Sequence, residues 1–379
     1  MSHVALLIPG LDRIGGAERQ VILLAKGLAL RGWQVSVVAL SGDGGIAGPD
    51  LKGAGVCFLS LHMRKGLTDP RGWTRFHRWL GQENPDVLHA HLPHAAWFGR
   101  WSRLAAPVRV MIDTLHSSST GSAGRHLGYR LSNWLPDAVT AVSHAGANAH
   151  LAAAMVSSNK LTVLPNGINV EYFRPETAVR TRVRQELGLE EEFLWLAAGR
   201  LEPVKDYPTL LWAMVEVPEP ARLVIAGAGP LESDLRSLTR KLGLEHRVRF
   251  LGFEPDVLSW MQAADGFVLS SRWEGLPMGL LEASACALPA VATGVPGTSE
   301  IIVPGKTGSL TTAGSAMSLG GAMTRMMRLP PEERKIMGGQ ARQRVVEHFS
   351  LATVLDRWEA LYTRLLERNP QPRRYSVAD

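Results

Sequence analysis

Two cations and two carboxylates follow apolar runs at positions where they could do chemistry together. Gly199-Arg200 follows the apolar run Phe193 to Ala198, and Lys205 comes five residues later, ahead of the next helical pattern. Paired cations at a strand tip suit a diphosphate, whose charge they neutralise as it departs; the plainer reading is two solvated surface cations. Glu274-Gly275-Leu276-Pro277-Met278-Gly279-Leu280-Leu281-Glu282 follows the run Gly266 to Ser270 and enters a helix near Met278. Backbone amides at such a start attract phosphate, and its two acids suit sugar hydroxyls. Glu282 as a mere complement to the helix dipole, with Glu274 an ordinary loop acid, is the competing reading. A glycosidase-like acid and base pair is disfavoured by the adjoining cations, because hydrolysis of a neutral glycoside needs no anion clamp.

Weaker signals lie in the first half. Leu11-Asp12-Arg13-Ile14-Gly15-Gly16-Ala17-Glu18 links the first strand to the first helix, and paired glycines there let backbone approach a ligand. It is not a complete G-x-G-x-x-G fingerprint, and Gly227-Ala228-Gly229-Pro230 fails similarly, reading instead as a strand-to-helix turn. His89 and His91 alternate at a strand end without carboxylate or cysteine company, which reads as satisfied or cleft-lining histidines rather than a metal site. His116, before the Ser117-Ser118-Ser119-Thr120 loop, is the best candidate for a role in a catalytic cleft. No D-x-D triplet occurs, so Arg200 and Lys205 would have to do the work of a metal clamp.

The elements that must position these residues repeat a strand-helix pattern. Strands are expected at His3 to Ile8, Gln34 to Leu40, Val56 to Leu59, Asp86 to His89, Val108 to Ile112, Ala138 to Val142 and Leu161 to Leu164, with a helix over Ala17 to Arg31. This alternation predicts a parallel sheet covered by helices. The turn-rich Pro165-Asn166-Gly167-Ile168-Asn169 and the aperiodic stretch to Pro175 mark a linker. A second series then restarts at Phe193 to Ala198, Arg222 to Ala226, Val248 to Leu251 and Gly266 to Ser270, with helices from about Tyr207, Leu231, Pro255 and Met278. Ligands of open α/β sheets bind beyond the carboxyl ends of strands, which is where Arg200, Lys205, Glu274 and His116 fall.

A chain of 379 residues is about right for two domains. Its 45 % hydrophobic and 20 % charged residues exclude disorder as the main state. No apolar run reaches the roughly 20 residues of a membrane span, and the start leads straight into a strand, so a cytoplasmic protein is expected. The net charge of +6 favours an anionic partner. Cys57 and Cys286 read as small buried hydrophobes, not as a disulfide or metal pair. Arg71 to Trp79 carries Trp73, Phe76 and Trp79 among Arg71, Arg75 and Arg78; the favoured reading is a helix packing its aromatics inward, the alternative a helix resting on an anionic membrane.

Taken together the chain resembles the GT-B-fold glycosyltransferase family 4 of retaining enzymes. The likeness rests on Gly15-Gly16-Ala17-Glu18, Asp86-Val87-Leu88-His89-Ala90-His91, Val142-Ser143, Pro165-Asn166-Gly167-Ile168, Gly199-Arg200 with Lys205, Gly227 to Pro230, Ser271 to Glu274 with Glu282, and Gly297 to Glu300. It implies an α/β fold of two Rossmann-like domains facing across a cleft: residues 1–168 on the acceptor side, residues 169–350 for the donor, and residues 351–379 as a helix crossing back to the first domain, plus a tail. It further implies that Arg200 and Lys205 hold the donor diphosphate, Glu274 the transferred sugar and Glu282 the ribose. Gly275, Leu276, Pro277 and Met278 would lend backbone amides, and domain closure would bring Gly15, Gly16 and His116 to the donor.

Pro277 departs from a glycine frequent in that loop, removing one amide contact; Ala287 departs from another glycine and is expected to change packing only. The partners so implied are a UDP- or GDP-sugar and a sugar or lipid-linked acceptor, with an anionic membrane as a peripheral support, no nucleic acid, and no metal or other cofactor. A nucleotide-sugar epimerase and a noncatalytic nucleotide-sugar-binding module remain as alternatives, and an NAD-linked oxidoreductase is the weakest.

Overall fold

Short apolar runs punctuated by glycine become parallel strands in the computed structural model, which describes residues 1–12, 14–64, 69–117 and 121–370. Arg13, the Ser118-Ser119-Thr120 part of the serine-rich loop and the tail from residue 371 lie outside the described residues. The chain divides into two compact units, Met1–Gly167 with Leu351–Asp379, and Ile168–Ser350.

Among the described residues of the first unit, the order is β1 (His3–Ile8), α1 (Gly16–Leu30), β2 (Gln34–Ala39), α2 (Ala47–Gly53), β3 (Cys57–Ser60) and α3 (Pro70–Glu83). There follow β4 (Val87–His91), α4 (Pro93–Ala105), β5 (Val110–Leu115), α5 (Ala123–Ser132), β6 (Ala138–Ala141), α6 (His144–Ala152) and β7 (Leu161–Val163). The seven strands lie in the order β3-β2-β1-β4-β5-β6-β7, and each neighbouring pair is parallel. Val4, Leu6 and Ile8 face one core with Val37, Val110 and Ile112; Ala5 and Leu7 face the other with Leu88, Met111 and Val139. Burial on both faces explains why these strands read as continuous apolar runs rather than as alternating ones.

The second unit begins with α7 (Thr177–Glu186), β8 (Phe193–Ala198), α8 (Tyr207–Glu216), β9 (Ala221–Ala226), α9 (Glu232–Lys241), β10 (Val248–Gly252) and α10 (Val257–Ala263). It continues with β11 (Gly266–Leu269), α11 (Met278–Ala285), β12 (Ala290–Thr293), α12 (Pro296–Ile301), β13 (Gly308–Thr311), α13 (Ala316–Arg328) and α14 (Pro331–Phe349). Its six strands run β10-β9-β8-β11-β12-β13. In both sheets the order reverses beside the first strand of the unit, which opens a crevice at the strand tips there.

The last helix, α15 (Leu351–Arg368), belongs to the first unit. Val354, Leu355, Trp358, Leu361, Tyr362, Leu365 and Leu366 recur at helical spacing and are buried in the same core as α1. A Cβ on Gly27 would stand 2.5 Å from the Leu355 side chain, so α1 meets α15 through a glycine. Arg109 closes the far end by donating to the carbonyl of Leu366 at 2.7 Å, a cation at the negative pole of the helix.

One expectation needs correction, that both cysteines are buried. Cys57 is exposed, because β3 is an edge strand with a neighbour on one side only. Cys286 is buried, and burial pushes its thiol up to about 12, so it is the inert one. Trp73, Phe76 and Trp79 pack inward: Trp73 lies 4.4 Å from Phe98, centre to centre, and Phe76 and Trp79 are buried. The aromatics of that helix therefore serve the core, and its arginines face water.

Candidate functional site

At the tip of β8 the chain makes a short loop, Gly199-Arg200-Leu201, held by backbone bonds to the tip of β9. Gly199 N–H donates to Ala226 and Leu201 N–H to Ala228, both at 3.0 Å. A Cβ on Gly227 would lie 2.0 Å from the Gly199 carbonyl oxygen, and one on Gly229 2.5 Å from that of Leu201. The Gly227-Ala228-Gly229 turn thus exists so that two strand tips can cross at backbone contact. The Tyr207 hydroxyl donates to the Gly199 carbonyl at 3.0 Å and fixes the loop from beneath.

A single 3₁₀ turn, Pro203–Lys205, carries Lys205 toward the tip of β11. Its ammonium meets Glu274 Oε1 at 2.6 Å, and the Ser271 hydroxyl donates to the same oxygen at 2.6 Å. Backbone bonds brace the contact: Ser270 Oγ donates to the Lys205 carbonyl, and Arg272 N–H to that of Val204, both at 2.8 Å. Asp206, in the left-handed region at φ 47° and buried, accepts from Thr209 Oγ1 at 2.8 Å and Arg272 Nε at 3.1 Å. Asp206, Ser270 and Thr293, whose hydroxyl holds the Ser271 carbonyl at 2.5 Å, are the supports that sequence reasoning did not single out, while Arg272 entered only as part of the Ser271 to Glu274 block. Arg272 meets Asp206 across 66 residues, Ser270 meets Lys205 across 65 and Thr293 meets Ser271 across 22, and no local signal announces these contacts.

Arg200 takes a different position from Lys205. Its side chain is 72 % exposed and pairs with Glu202 at 3.0 Å, whereas that of Lys205 is 20 % exposed. The strand tips therefore bring Lys205 and Glu274 into direct contact and leave Arg200 as an outer cation on the same loop. Glu282 is buried in the second turn of α11. The favourable field of a helix N-terminus fades within the first turn, so dipole compensation does not account for its place. Pro277 is the N-cap of α11 and brings no N–H; Gly275, Leu276 and Met278 supply the amides around it. A Cβ on Gly297 would stand 2.5 Å from the Gly275 carbonyl oxygen, so α12 presses directly on the acid-bearing loop.

In the first unit, Gly15 is the N-cap of α1 at φ −100°, ψ −165°, a conformation open to other residues, and its N–H donates to Glu18 at 3.0 Å. Gly16 opens the helix. His116, just past β5, is half-buried; its Nε2 lies 3.0 Å from His91 Nδ1, while His116 Nδ1 and His91 Nε2 are buried without a partner. Burial pushes the His116 imidazole down to about 4, so the ring is neutral near pH 7 and acts as hydrogen-bonding group rather than cation. Both rings line a cavity of about 20 Å³, with Gln20, Asn166 and Trp358 among its walls.

His89 belongs to a chain whose direction can be worked out. Thr140 Oγ1 donates to the Asp113 carbonyl at 3.4 Å, so it receives the Thr114 proton across 2.7 Å. Thr114 then accepts from His89 Nε2 at 2.6 Å, which leaves Nδ1 to accept the Tyr362 hydroxyl at 2.7 Å. Each member is buried and satisfied, so His89 is structural. Among the described residues no cluster of three or more His, Cys, Asp or Glu is arranged to hold a metal ion. Leu92, between His91 and α4, sits at φ 71°, ψ 154°, a region essentially reserved for glycine, and nothing in its sequence context marks that strain.

Comparison with known proteins places this geometry in a family. The model described as Glycosyltransferase Family 4 matches residues 14–172, and that of Glycosyl transferases group 1 matches residues 179–344. The chain is 30 % identical to a GDP-mannose-dependent α-(1-6)-phosphatidylinositol monomannoside mannosyltransferase of Mycolicibacterium smegmatis, covering 64 % of this chain and 68 % of that one. It is 25 % identical to a UDP-Gal:α-D-GlcNAc-diphosphoundecaprenol α-1,3-galactosyltransferase of Escherichia coli over 78 % of this chain and 80 % of that protein. Its fold matches that of Anabaena HepE, solved with UDP and glucose, at a TM-score of 0.84 and 22 % identity over 95 % and 99 % of the two chains. With a family model on each unit and a relative at this identity, the chain belongs to glycosyltransferase family 4, enzymes of the GT-B fold.

Proposed function

We infer that the protein moves a sugar from a UDP- or GDP-sugar to an acceptor hydroxyl with retained anomeric configuration, in the assembly of a cell-surface polysaccharide or glycolipid. The observation that carries this reading is the 2.6 Å contact of Lys205 with Glu274 at adjoining strand tips, braced from both sides. An ammonium held by a carboxylate is ready to exchange that partner for a diphosphate oxygen, and Glu274, so released, is free to accept a sugar hydroxyl. The bond between the anomeric carbon and the diphosphate oxygen breaks heterolytically; Lys205, with Arg200 from outside, neutralises the charge that gathers on the leaving group. A departing phosphate oxygen takes the proton of the attacking hydroxyl on the same face, so no protein base is needed. Glu282 holds the ribose, the α11 entry from Gly275 to Met278 meets the phosphates, and Gly15, Gly16 and the neutral His116 contribute from the first unit.

The relatives that use UDP-galactose and GDP-mannose support a nucleotide-sugar donor, and their diphospholipid and phosphatidylinositol acceptors support a lipid-linked one. We place the reaction in the cytoplasm, at the inner face of the membrane, and assign it no metal. Screening UDP- and GDP-sugars for thermal shift, followed by acceptor-dependent release of nucleotide with and without EDTA, tests the reading. One donor is expected to raise the melting temperature, and nucleotide release is expected to need acceptor and to be unaffected by chelation. Isomerised donor without acceptor would mark an epimerase, donor binding without turnover a binding module, and loss of activity in EDTA would refute the metal-free scheme.

A further inference from the structure

The helices α3, α4 and α5 cover one face of the first sheet, their inner sides packed on Phe76, Phe98, Met111 and Tyr129. α4 and α5 are locked alongside each other: a Cβ on Gly128 would stand 1.9 Å from the Trp97 ring, and Arg100 donates to Ser132 at 2.8 Å. With these inner contacts made, Trp101 and Leu104 on α4 and Leu127, Leu131 and Trp134 on or just after α5 remain 43–65 % exposed. Spacings of three and four residues put each set on one side of its helix. The Trp134 indole donates to the Leu131 carbonyl at 3.1 Å, which holds that ring at the helix end. Five large apolar side chains on two touching helices exceed the scattered exposure normal for a surface.

The charge around them is predominantly positive. The three helices carry seven arginines, Arg71, Arg75, Arg78, Arg100, Arg103, Arg125 and Arg130, against one acid, Glu83. Arg100 is spent on Asp113 at 2.6 Å and Arg103 on Asp137 at 2.8 Å. Arg71, Arg75 and Arg78 repeat along the exposed side of α3, and Arg130 is exposed on α5.

We propose that the outer face of α4 and α5, flanked by the arginines of α3, docks on the surface of an anionic phospholipid bilayer. Tryptophan and leucine enter the headgroup region while the arginines stay at the phosphates, the division of labour an interfacial surface needs. A second copy of this chain fits the same face poorly, because a two-fold contact would set basic helix against basic helix. No described helix is long and apolar enough to cross a membrane. The surface uses none of the residues assigned to the donor and stands independently of that assignment.

The test is co-sedimentation of the full chain with phosphatidylcholine vesicles with and without phosphatidylglycerol. Binding to the anionic vesicles is expected. The variant Leu127→Ser/Leu131→Ser/Trp134→Ser should bind them at least about tenfold more weakly, and Arg71→Gln/Arg75→Gln/Arg78→Gln should lose a similar factor. Both variants should keep the parent's melting temperature and its donor-induced shift, since every changed position is exposed and outside the second unit. Absence of binding by the parent, or equal binding by the apolar variant, overturns the proposal. So does a dimer in light scattering that the apolar variant converts to monomer. Vesicle binding by a chain that shows no donor shift supports the docking face and counts against the transferase reading instead.

Discussion

Ala287 shows at the scale of one residue how a substitution that looks harmless in sequence carries a cost. It follows the C-cap of α11 at φ 58°, the left-handed position where a helix is normally closed by glycine. The expectation that it changes packing alone is therefore incomplete, because its Cβ is held in a strained backbone region. Ala287→Gly relieves that strain and gives back part of the gain as unfolded-chain entropy, for a net stabilisation of about 0.5–1 kcal/mol. Calorimetry should record a rise of roughly 2 °C in the melting of the second unit; a fall would mean that the alanine methyl does more for packing than its backbone loses.

Among the elements, α15 is tied to the first sheet by one polar thread within an apolar contact. The Tyr362 hydroxyl is the start of the chain that runs through His89, Thr114 and Thr140. Tyr362→Phe leaves His89 Nδ1 buried without a donor and should cost about 1–3 kcal/mol in denaturant unfolding; an unchanged midpoint would show that the thread is idle. The family resemblance implied the helix itself, and β1 and β8 were legible to the residue, because a strand buried on both faces leaves an unbroken apolar run. β12 and β13, Ala-Val-Ala-Thr and Gly-Ser-Leu-Thr, were not read, since four small residues carry no such run. β4 and β5 extend past their apolar stretches to His91 and Leu115, which is why both histidines of the cavity lie nearer the strand tips than the pattern implied. For the site, the cations and acids announced themselves by following strands, whereas Asp206, Ser270 and Thr293 act through distant contacts and were silent. Arg200 and Lys205 looked equivalent in sequence; only the fold separates the braced lysine from the exposed arginine.

On the scale of the whole molecule, each unit contributes a different kind of surface. The second presents a crossed pair of strand tips with a lysine and an acid in contact; the first presents two neutral histidines at a small cavity and, on its other sheet face, a basic and apolar layer of helices. If the Lys205 ammonium stabilises the departing diphosphate, its removal must act on turnover and not on folding alone. The most direct test is the steady-state rate of acceptor-dependent nucleotide release by Lys205→Ala, measured beside Arg200→Ala, with melting temperature as control. Loss of a charge aimed at the leaving group should lower kcat/KM by about 2–4 kcal/mol, some 30- to 1000-fold, for Lys205→Ala, with a smaller loss for the exposed Arg200. A folded Lys205→Ala protein that turns over at the parent's rate would contradict the central claim.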